Sequence, residues 1–237
     1  MNKKDLLSEI VRDSDNIVFF GGAGVSTKSG IPDFRSDNGL FSAKYKYPPE
    51  YMLSHTFFMN HTEEFFNFYR EKMIYPDAKP NKAHIKLAEL EQEGKLKAVI
   101  TQNIDGLHQL AGSKNVLELH GSVYRNYCMK CKKRYPLNNI LETDGIPRCE
   151  CKGIIKPDVV LYEESLDNSV LFKAISYISS ADVLIVGGTS LNVYPAAGLV
   201  DYYKGDKLVL INKTETPMDY KANIVIHDSI DEVLGDI

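Results

Sequence analysis

The four cysteines of this chain have the spacing of a metal site. Two residues separate Cys128 from Cys131, and after a gap of 17 residues Cys149 and Cys151 follow with one residue between them. Gaps of about 15–20 residues between two cysteine pairs are typical of zinc sites. A shell of four thiolates leaves zinc no open position for water or substrate, so we predict one structural zinc ion. Iron–sulfur ligation, which also uses four thiolates, stays open on spacing alone.

One histidine has surroundings that suggest acid–base chemistry. His120 precedes a glycine in "VLELHGSV", after a short run of strand-like residues. Imidazole is the side chain that is most easily poised as a base near neutral pH. His120 is therefore a candidate general base, with a purely structural histidine as the alternative.

Closely spaced glycines follow two of the apolar runs. "FFGGAGVSTKSGIPDFR" contains Gly22 and Gly24, and "IVGGTSLNVYPAAGL" contains Gly188. Glycines after a strand let backbone N–H groups approach a phosphate near the start of a helix. The dehydrogenase fingerprint would need Gly or Ala at position 27, where Thr27 stands. The glycines thus favour a phosphate-containing ligand but argue against hydride transfer.

Polar side chains follow two further runs, "LKAVIT" and "KLVLIN". "TQNIDGLHQ" supplies Gln102, Asn103 and Asp105, and Asn212 ends the second run. Ligands of open α/β sheets bind in the crevice outside the carboxyl ends of the strands. Amide and carboxyl groups there can hold ribose hydroxyls and a carboxamide, although capping of a helix is the simpler alternative.

The elements that must position these residues alternate along the chain. Apolar runs predict strands at 16–24, 96–101, 181–188, 207–212 and 222–227, and helical spacing predicts helices at 5–13, 82–94 and 169–179. This alternation predicts an α/β fold with a doubly wound parallel sheet that is covered on both faces. Residues 36–80 and 122–157 interrupt the pattern, so we expect a smaller lobe built from two insertions.

Composition argues against two classes of partner. The net charge of the 237 residues is −4, which provides no basic field to recruit nucleic acid. A zinc module that binds nucleic acid through the basic residues near the cysteines is therefore disfavoured. No apolar run approaches the ~18 residues that a membrane span needs. We expect a cytoplasmic monomer, where thiols stay reduced and clustered cysteines bind metal.

With these motifs in order, the sequence resembles the sirtuins, the NAD-dependent protein deacylases. The matching segments are "GAGVSTKSGIPDFR" (22–35), "TQNIDGLH" (101–108), "ELHG" (118–121), the four cysteines, "KPDVV" (156–160), "GTSLNVYPAA" (189–197) and "LVLIN" (208–212). The resemblance implies a Rossmann-type NAD-binding domain and a small zinc-binding lobe, with acetyl-lysine and NAD meeting in the cleft between them. The expected boundaries are 1–35, 81–121 and 158–237 for the first and 36–80 and 122–157 for the second.

The resemblance also implies roles for individual residues. His120 is the expected general base, which activates a ribose hydroxyl, and Asn103 is the second expected catalytic residue. The expected NAD-binding residues are Gly22, Ala23, Gly24, Ser26, Thr27, Asp33, Phe34, Arg35, Gln102, Asn103, Ile104, Asp105, His120, Gly188, Thr189, Ser190 and Asn212. The expected reaction converts acetylated lysine on proteins into free lysine, nicotinamide and O-acetyl-ADP-ribose, with NAD consumed. A sirtuin-fold ADP-ribosyltransferase is the alternative, and the presence of both "QNID" and His120 argues against it.

The sequence departs from the family pattern in the segment expected to pair with the substrate backbone. Tyr162, Glu163 and Glu164 stand where the family often has Phe-Gly-Glu. An acid at a usual glycine position leaves the peptide preference open. Residues 63–75 lack the Tyr-x-x-Arg pair of sirtuins that prefer succinyl-lysine, so we expect apolar acyl groups such as acetyl.

Overall fold

A six-stranded parallel sheet forms the centre of the protein. The computed structural model describes residues 2–36, 39–42 and 44–237. Within these residues the strands are β1 (Ile17–Gly21), β2 (Leu96–Thr101), β3 (Val116–Glu118), β4 (Gly121–Cys128), β5 (Arg134–Tyr135), β6 (Ile155–Val159), β7 (Val183–Gly187), β8 (Leu208–Ile211) and β9 (Ile224–Ile226). The large sheet has the order β3-β2-β1-β7-β8-β9, and all its pairs are parallel. The strand order reverses beside β1, which places a crevice between the ends of β1 and β7.

Helices cover both faces of this sheet. The α-helices of the described residues are α1 (Lys3–Arg12), α2 (Pro49–Met52), α3 (His55–Asn60), α4 (Thr62–Lys72), α5 (Lys82–Gln92), α6 (Leu107–Ala111), α7 (Asn138–Leu141), α8 (Asn168–Ser180) and α9 (Ile230–Gly235). Side chains of α1, α5 and α9 pack on one face, and those of α8 with a 3₁₀ helix at 196–202 pack on the other. Strands β1, β7 and β8 are buried along their whole length because they are covered from both sides.

The smaller lobe has an antiparallel sheet and an aromatic core. Its sheet has the order β5-β4-β6, and α2, α3, α4 and α7 surround it. Phe57, Phe58, Phe65 and Phe66 are fully buried there, and the rings of Phe58, Phe65 and Phe66 meet edge to face. Arg70 on α4 donates its Nε to the backbone oxygen of residue 140 at 2.8 Å, which joins the two insertions.

The predicted fold class is confirmed. Every strand predicted in the large sheet is present within three residues of its expected ends, and the helices predicted at 5–13, 82–94 and 169–179 correspond to α1, α5 and α8. The exact domain boundaries stay a prediction, and positions 37, 38 and 43 of the first insertion lie outside the described residues. Among the helices that the structure describes, none is both long enough and apolar enough to cross a bilayer.

Candidate active site

Glycines allow the ends of β1 and β7 to approach each other closely. The Gly24 N–H donates to the Gly188 carbonyl oxygen at 2.8 Å. A Cβ on Gly24 would lie 2.8 Å from the Gly188 Cα, and a Cβ on Gly22 would lie 2.8 Å from the Thr189 Cβ. Gly188 also has a left-handed φ of 60°. Side chains at these positions would fill the crevice, so the glycines fit a site where backbone approaches a ligand.

A buried hydrogen-bonded set joins the glycine turn to the end of β2. The Ser26 hydroxyl, which is 0% exposed, donates to Asp105 Oδ2 at 2.6 Å and accepts from Asn103 Nδ2 at 3.1 Å. Removal from water raises the pKa of Asp105, which the bond from Ser26 partly offsets, and the negative charge of Glu118 raises it further. The set fixes an amide and a carboxyl group at the edge of the sheet.

The candidate base is held in one tautomer. His120 lies between β3 and β4, where the chain crosses from the large sheet to the small one. Its Nδ1 lies 3.0 Å from the Gln102 carbonyl oxygen. A carbonyl oxygen only accepts, so Nδ1 carries the proton and Nε2 keeps its lone pair. Removal from water lowers the pKa of His120, which keeps the ring neutral near pH 7.

The backbone on both sides of His120 is tightly constrained. The His120 carbonyl oxygen accepts from the Val160 N–H at 3.0 Å. Gly121 has a φ of 78°, and a Cβ there would lie 1.9 Å from the Asp158 carbonyl oxygen. Strand β6 can therefore lie against the residue after His120 only because that residue is glycine.

The loop that the resemblance predicts to bind the cofactor is held at its start by its own side chains. Asp33 Oδ1 accepts from the N–H groups of Arg35 at 3.1 Å and Ser36 at 2.8 Å. The Phe34 ring meets Phe41 edge to face at 5.4 Å, and the Arg35 guanidinium lies 5.5 Å from the centre of the Phe41 ring. Asp33 thus caps a turn, while Phe34 and Arg35 line a cavity.

One cavity of about 610 Å³ brings the predicted site together. It is lined by all 17 residues expected to bind NAD, from Gly22 at the glycine turn to Asn212 after β8. Gln102 Nε2 donates to Thr189 Oγ1 at 3.0 Å across the cavity, which links the ends of β2 and β7. The binding roles of the individual residues stay predictions, but their assembly at one edge of the sheet fits a dinucleotide.

The four cysteine sulfurs lie together in the small lobe, away from the large sheet. Cys128 Sγ lies 3.4 Å from Cys151 Sγ, Cys131 Sγ lies 3.5 Å from Cys149 Sγ, and all four sulfurs lie within 4.8 Å of one another. Tetrahedral zinc with bonds of about 2.3 Å places its sulfur ligands about 3.8 Å apart. The cluster therefore fits one zinc ion with a closed shell, and it contributes no residue to the cavity lining.

The short cysteine pair closes its turn beyond the second cysteine. The Lys152 N–H donates to the Cys149 carbonyl oxygen at 2.8 Å, and the Cys149 N–H donates to the Gly153 carbonyl oxygen at 2.9 Å. Lys152 has a left-handed φ of 64°, as does Lys132 after the first pair with 63°. The two halves of the site thus end in the same backbone conformation despite their different spacing.

Comparison with known proteins places this architecture in a family. The family model described as the Sir2 family matches residues 22–195, which is most of the chain. The chain belongs to the Sir2 family. Among its Sir2 relatives, the NAD-dependent protein deacetylases of Clostridium acetobutylicum and Clostridium tetani are 63% and 64% identical. The two alignments cover 99% and 100% of this chain and 97% and 98% of the relatives.

Solved Sir2 structures have the same fold. One with a deacetylated p53 peptide and 3′-O-acetyl ADP-ribose has a TM-score of 0.89 at 43% identity and covers 99% of this chain and 96% of its own. Another, of Sir2 with p53 peptide and NAD⁺, has a TM-score of 0.86 at 42% identity with the same coverage. These matches confirm the predicted family and the enzyme class of an NAD-dependent protein deacetylase, rather than the ADP-ribosyltransferase alternative.

Several cavity residues were not predicted from the sequence. Lys213, Thr214 and Asp228 line the cavity beyond the ends of β8 and β9, and Tyr194 lines it next to the glycine run after β7. Lys213 and Thr214 directly follow Asn212, so the rule that selected Asn212 could have found them. Asp228 follows β9, a weak strand whose end carried no glycine or amide to mark it.

Proposed function

We propose that this Sir2 chain removes acyl groups from lysine side chains of proteins, with His120 as its general base. The observation that carries the proposal is that His120, whose Nε2 keeps its lone pair, lines a cavity with two unlike ends. The glycine turn and strand ends form one end, and apolar side chains of the small lobe line the other. NAD⁺, when bound, supplies the ribose that receives the acyl group as nicotinamide leaves.

The buried set at the end of β2 is proposed to orient the nicotinamide end of NAD⁺. Ser26 holds Asp105 and Asn103 in fixed positions, so their polar groups are arranged before a ligand arrives. Such prior arrangement lowers the barrier by positioning rather than by new chemistry. His120, kept neutral by burial, then accepts a proton from a ribose hydroxyl through Nε2.

The small-lobe end of the cavity supports a neutral acyl group. Leu40, Leu53, Met73 and Val123 line it together with other apolar residues. Lys72 is the one cation among the lining residues of that lobe in the described part of the chain, and its Nζ lies 2.7 Å from the neighbouring Glu71 carboxylate. An acyl chain that ends in a carboxylate would therefore gain little from Lys72, so acetyl and similar groups are the proposed substrates.

A panel of acyl-lysine peptides tests the proposed function. Purified protein with NAD⁺ should yield deacylated peptide, nicotinamide and O-acyl-ADP-ribose in equal amounts, as measured by mass spectrometry. Acetyl peptides should react faster than succinyl peptides. Equal loss of the acyl group without NAD⁺, or ADP-ribose attached to the peptide in place of deacylation, would overturn the proposal.

We further propose that the chain works as a cytoplasmic monomer that binds neither nucleic acid nor membrane. Four clustered thiols suit a reducing compartment, and the net charge of −4 opposes binding to polyanions. Sedimentation of the zinc-loaded protein at micromolar concentration tests the monomer. A dimer that persists on dilution would contradict it.

A further inference from the structure

Arg125 joins the strands on either side of His120. It lies on β4 and donates Nη1 to Glu118 Oε2 on β3 and Nε to Asp158 Oδ2 on β6, the latter at 3.0 Å. Glu118 lies two residues before His120, and Asp158 lies two residues before Val160, whose N–H donates to the His120 carbonyl oxygen. One guanidinium therefore holds the segment that carries the candidate base and the segment that hydrogen-bonds to its backbone.

Backbone pairing is missing where Arg125 acts. Strands β4 and β6 pair at Gly121 with Val159 and again at Asn126 with Pro157, and the register shifts between these two points. Over this interval four residues of β4, 122–125, stand opposite a single residue of β6, Asp158. The Arg125 side chain closes the gap that the backbone hydrogen bonds leave, and a planar guanidinium can do this because it presents several donors in fixed directions.

The same network reaches residues 102–105, which we call the cofactor segment because they are proposed to orient the nicotinamide end of NAD⁺. Glu118 uses its other oxygen, Oε1, to accept from Gln109 Nε2 at 2.8 Å. Gln109 lies on α6, which begins directly after the segment with Asp105. The Glu118 side chain is only 9% exposed, so the positive charge of Arg125 compensates a carboxylate that water reaches poorly.

We propose that Arg125 is a positioning residue, which sets the angle between the two lobes at His120 and shields the cofactor segment from the charge of Glu118. The proposal rests on the proposed function for its kinetic readout. Two consequences follow, one from geometry and one from charge. Loss of either the Glu118 or the Asp158 hydrogen bond of Arg125 should misplace His120. Loss of the positive charge should leave Asp105 subject to the full negative charge of Glu118.

The charge effect has a defined sign. The titratable groups that act on Asp105 from the packed elements are Glu118 on β3 and Tyr124 on β4, with His120 beside them on the cavity wall. An uncompensated Glu118 favours the protonated form of Asp105 and of His120 alike. Arg125→Gln should therefore move the acid limb of kcat/KM to higher pH, and Glu118→Gln should move it to lower pH.

Three variants separate geometry from charge. Arg125→Gln should lower kcat about tenfold or more and shift the acid limb upward by about 0.3 pH units. Arg125→Lys keeps the charge but reaches one carboxylate only, so kcat should fall while the acid limb stays in place. Arg134→Gln, which removes an exposed cation of the same small sheet, is the matched control and should behave as the wild type.

The outcomes decide the proposal directly. A kcat of Arg125→Gln within twofold of the wild type, or acid limbs that shift in the same direction in Arg125→Gln and Glu118→Gln, would overturn it. If Arg125→Gln loses its zinc or unfolds, the kcat of Arg125→Lys at full zinc content tests the proposal instead.

If the wild type deacylates no peptide, the proposed function is wrong. Calorimetric titration with NAD⁺ at pH 6 and 8 then tests Arg125 alone, since Arg125→Gln should lose more affinity at pH 6 than Glu118→Gln.

Discussion

The Nδ1 atom of His120 lies 3.0 Å from the carbonyl oxygen of Gln102, the first residue of the segment expected to hold the nicotinamide end of NAD. This contact fixes the proton on Nδ1 and leaves Nε2 free to accept one. It also fixes the candidate base relative to the segment that begins at Gln102. One backbone group at the end of β2 thus links the candidate base to the segment predicted to bind the cofactor.

Replacement of His120 by alanine should remove the proton acceptor while leaving the cavity intact. We expect kcat for deacetylation to fall at least ~100-fold, the lower range for a general base. In the wild type, kcat/KM should decline on the acid side with an apparent pKa below 6.5, because burial lowers the pKa of His120 and the neutral ring is the active form. Steady-state assays from pH 5 to 9 measure both. Turnover of His120→Ala equal to that of the wild type would refute the assignment.

The strand ends were the most predictable part of the site. Gln102, Gly188 and Asn212 each follow an apolar run, and carboxyl ends of parallel strands must meet at one edge of the sheet. The alternation of predicted strands and helices was therefore enough to predict the position of the crevice, before any contact between residues was known. His120 required the resemblance in addition, because a single histidine has no spacing that reveals its role.

The small lobe was harder to predict because its stability depends on contacts between distant segments. Strand β6 contains Pro157, and a proline argues against a central strand. The residue is tolerated because β6 forms one edge of the small sheet. The bonds of Arg125 to Glu118 and Asp158 span 7 and 33 positions of sequence, and no local pattern marks them.

Gly153 is the position at which the zinc site should be most sensitive to one methyl group. A Cβ there would lie 2.6 Å from Cys128 Sγ and 2.8 Å from the Lys130 Cβ. We expect Gly153→Ala to displace the Cys128 sulfur and to bind less than the one zinc per chain of the wild type after dialysis. Activity should fall with the zinc content, because the metal holds the small lobe rather than the substrate.

Gly198→Ala is the control for the zinc measurement. A Cβ at Gly198 would have ordinary contacts, the nearest at 3.6 Å to the Tyr194 ring. Its zinc content should match that of the wild type in plasma emission analysis. Full zinc occupancy in Gly153→Ala would contradict the prediction, because it would show that the turn with Cys149 and Cys151 can shift to make room for the methyl group.

Glu163 combines a strained backbone with a compensating contact. Its φ is 74°, a left-handed value that suits glycine, and its carboxylate accepts from the Thr56 N–H at 2.9 Å and the Thr56 hydroxyl at 2.7 Å. Glu163→Ala loses the contact and keeps the strain, whereas Glu163→Gly loses the contact and relieves the strain. We expect the alanine variant to melt about 2–4 °C below the glycine variant.

Differential scanning calorimetry at pH 7.5 measures this difference. Glu142→Ala, which removes an exposed acid of the small lobe, should melt within a degree or so of the wild type, as surface changes away from special backbone positions usually do. If Glu163→Ala melts at or above Glu163→Gly, the left-handed backbone does not oppose a side chain at this position.

His84 and His108 should make the protein labile to acid. Their rings are buried side by side with centroids 4.7 Å apart, and His84 Nδ1 accepts from the Asn81 N–H at 3.3 Å. The Asn81 side chain donates in turn to the Val25 carbonyl oxygen in the glycine turn after β1. Burial lowers the pKa of His84 to about 4 and also lowers the pKa of His108, where the neighbouring ring adds to the effect. The folded state keeps both rings neutral, whereas the unfolded chain takes up protons below pH 6.5.

Stability should therefore be full above pH 6.5 and should fall as the pH drops toward the folded pKa values. The His84 share of the loss between pH 6.5 and 5 is about 2 kcal/mol, since each pH unit in this window costs about 1.4 kcal/mol per buried histidine. Urea unfolding of the zinc-loaded protein at pH 7.5 and 5 should show a smaller pH-dependent loss for His84→Gln than for the wild type. His227→Gln, which removes a histidine with 40% of its side chain exposed, should lose as much stability as the wild type. Equal losses in all three proteins would mean that His84 takes up its proton without unfolding.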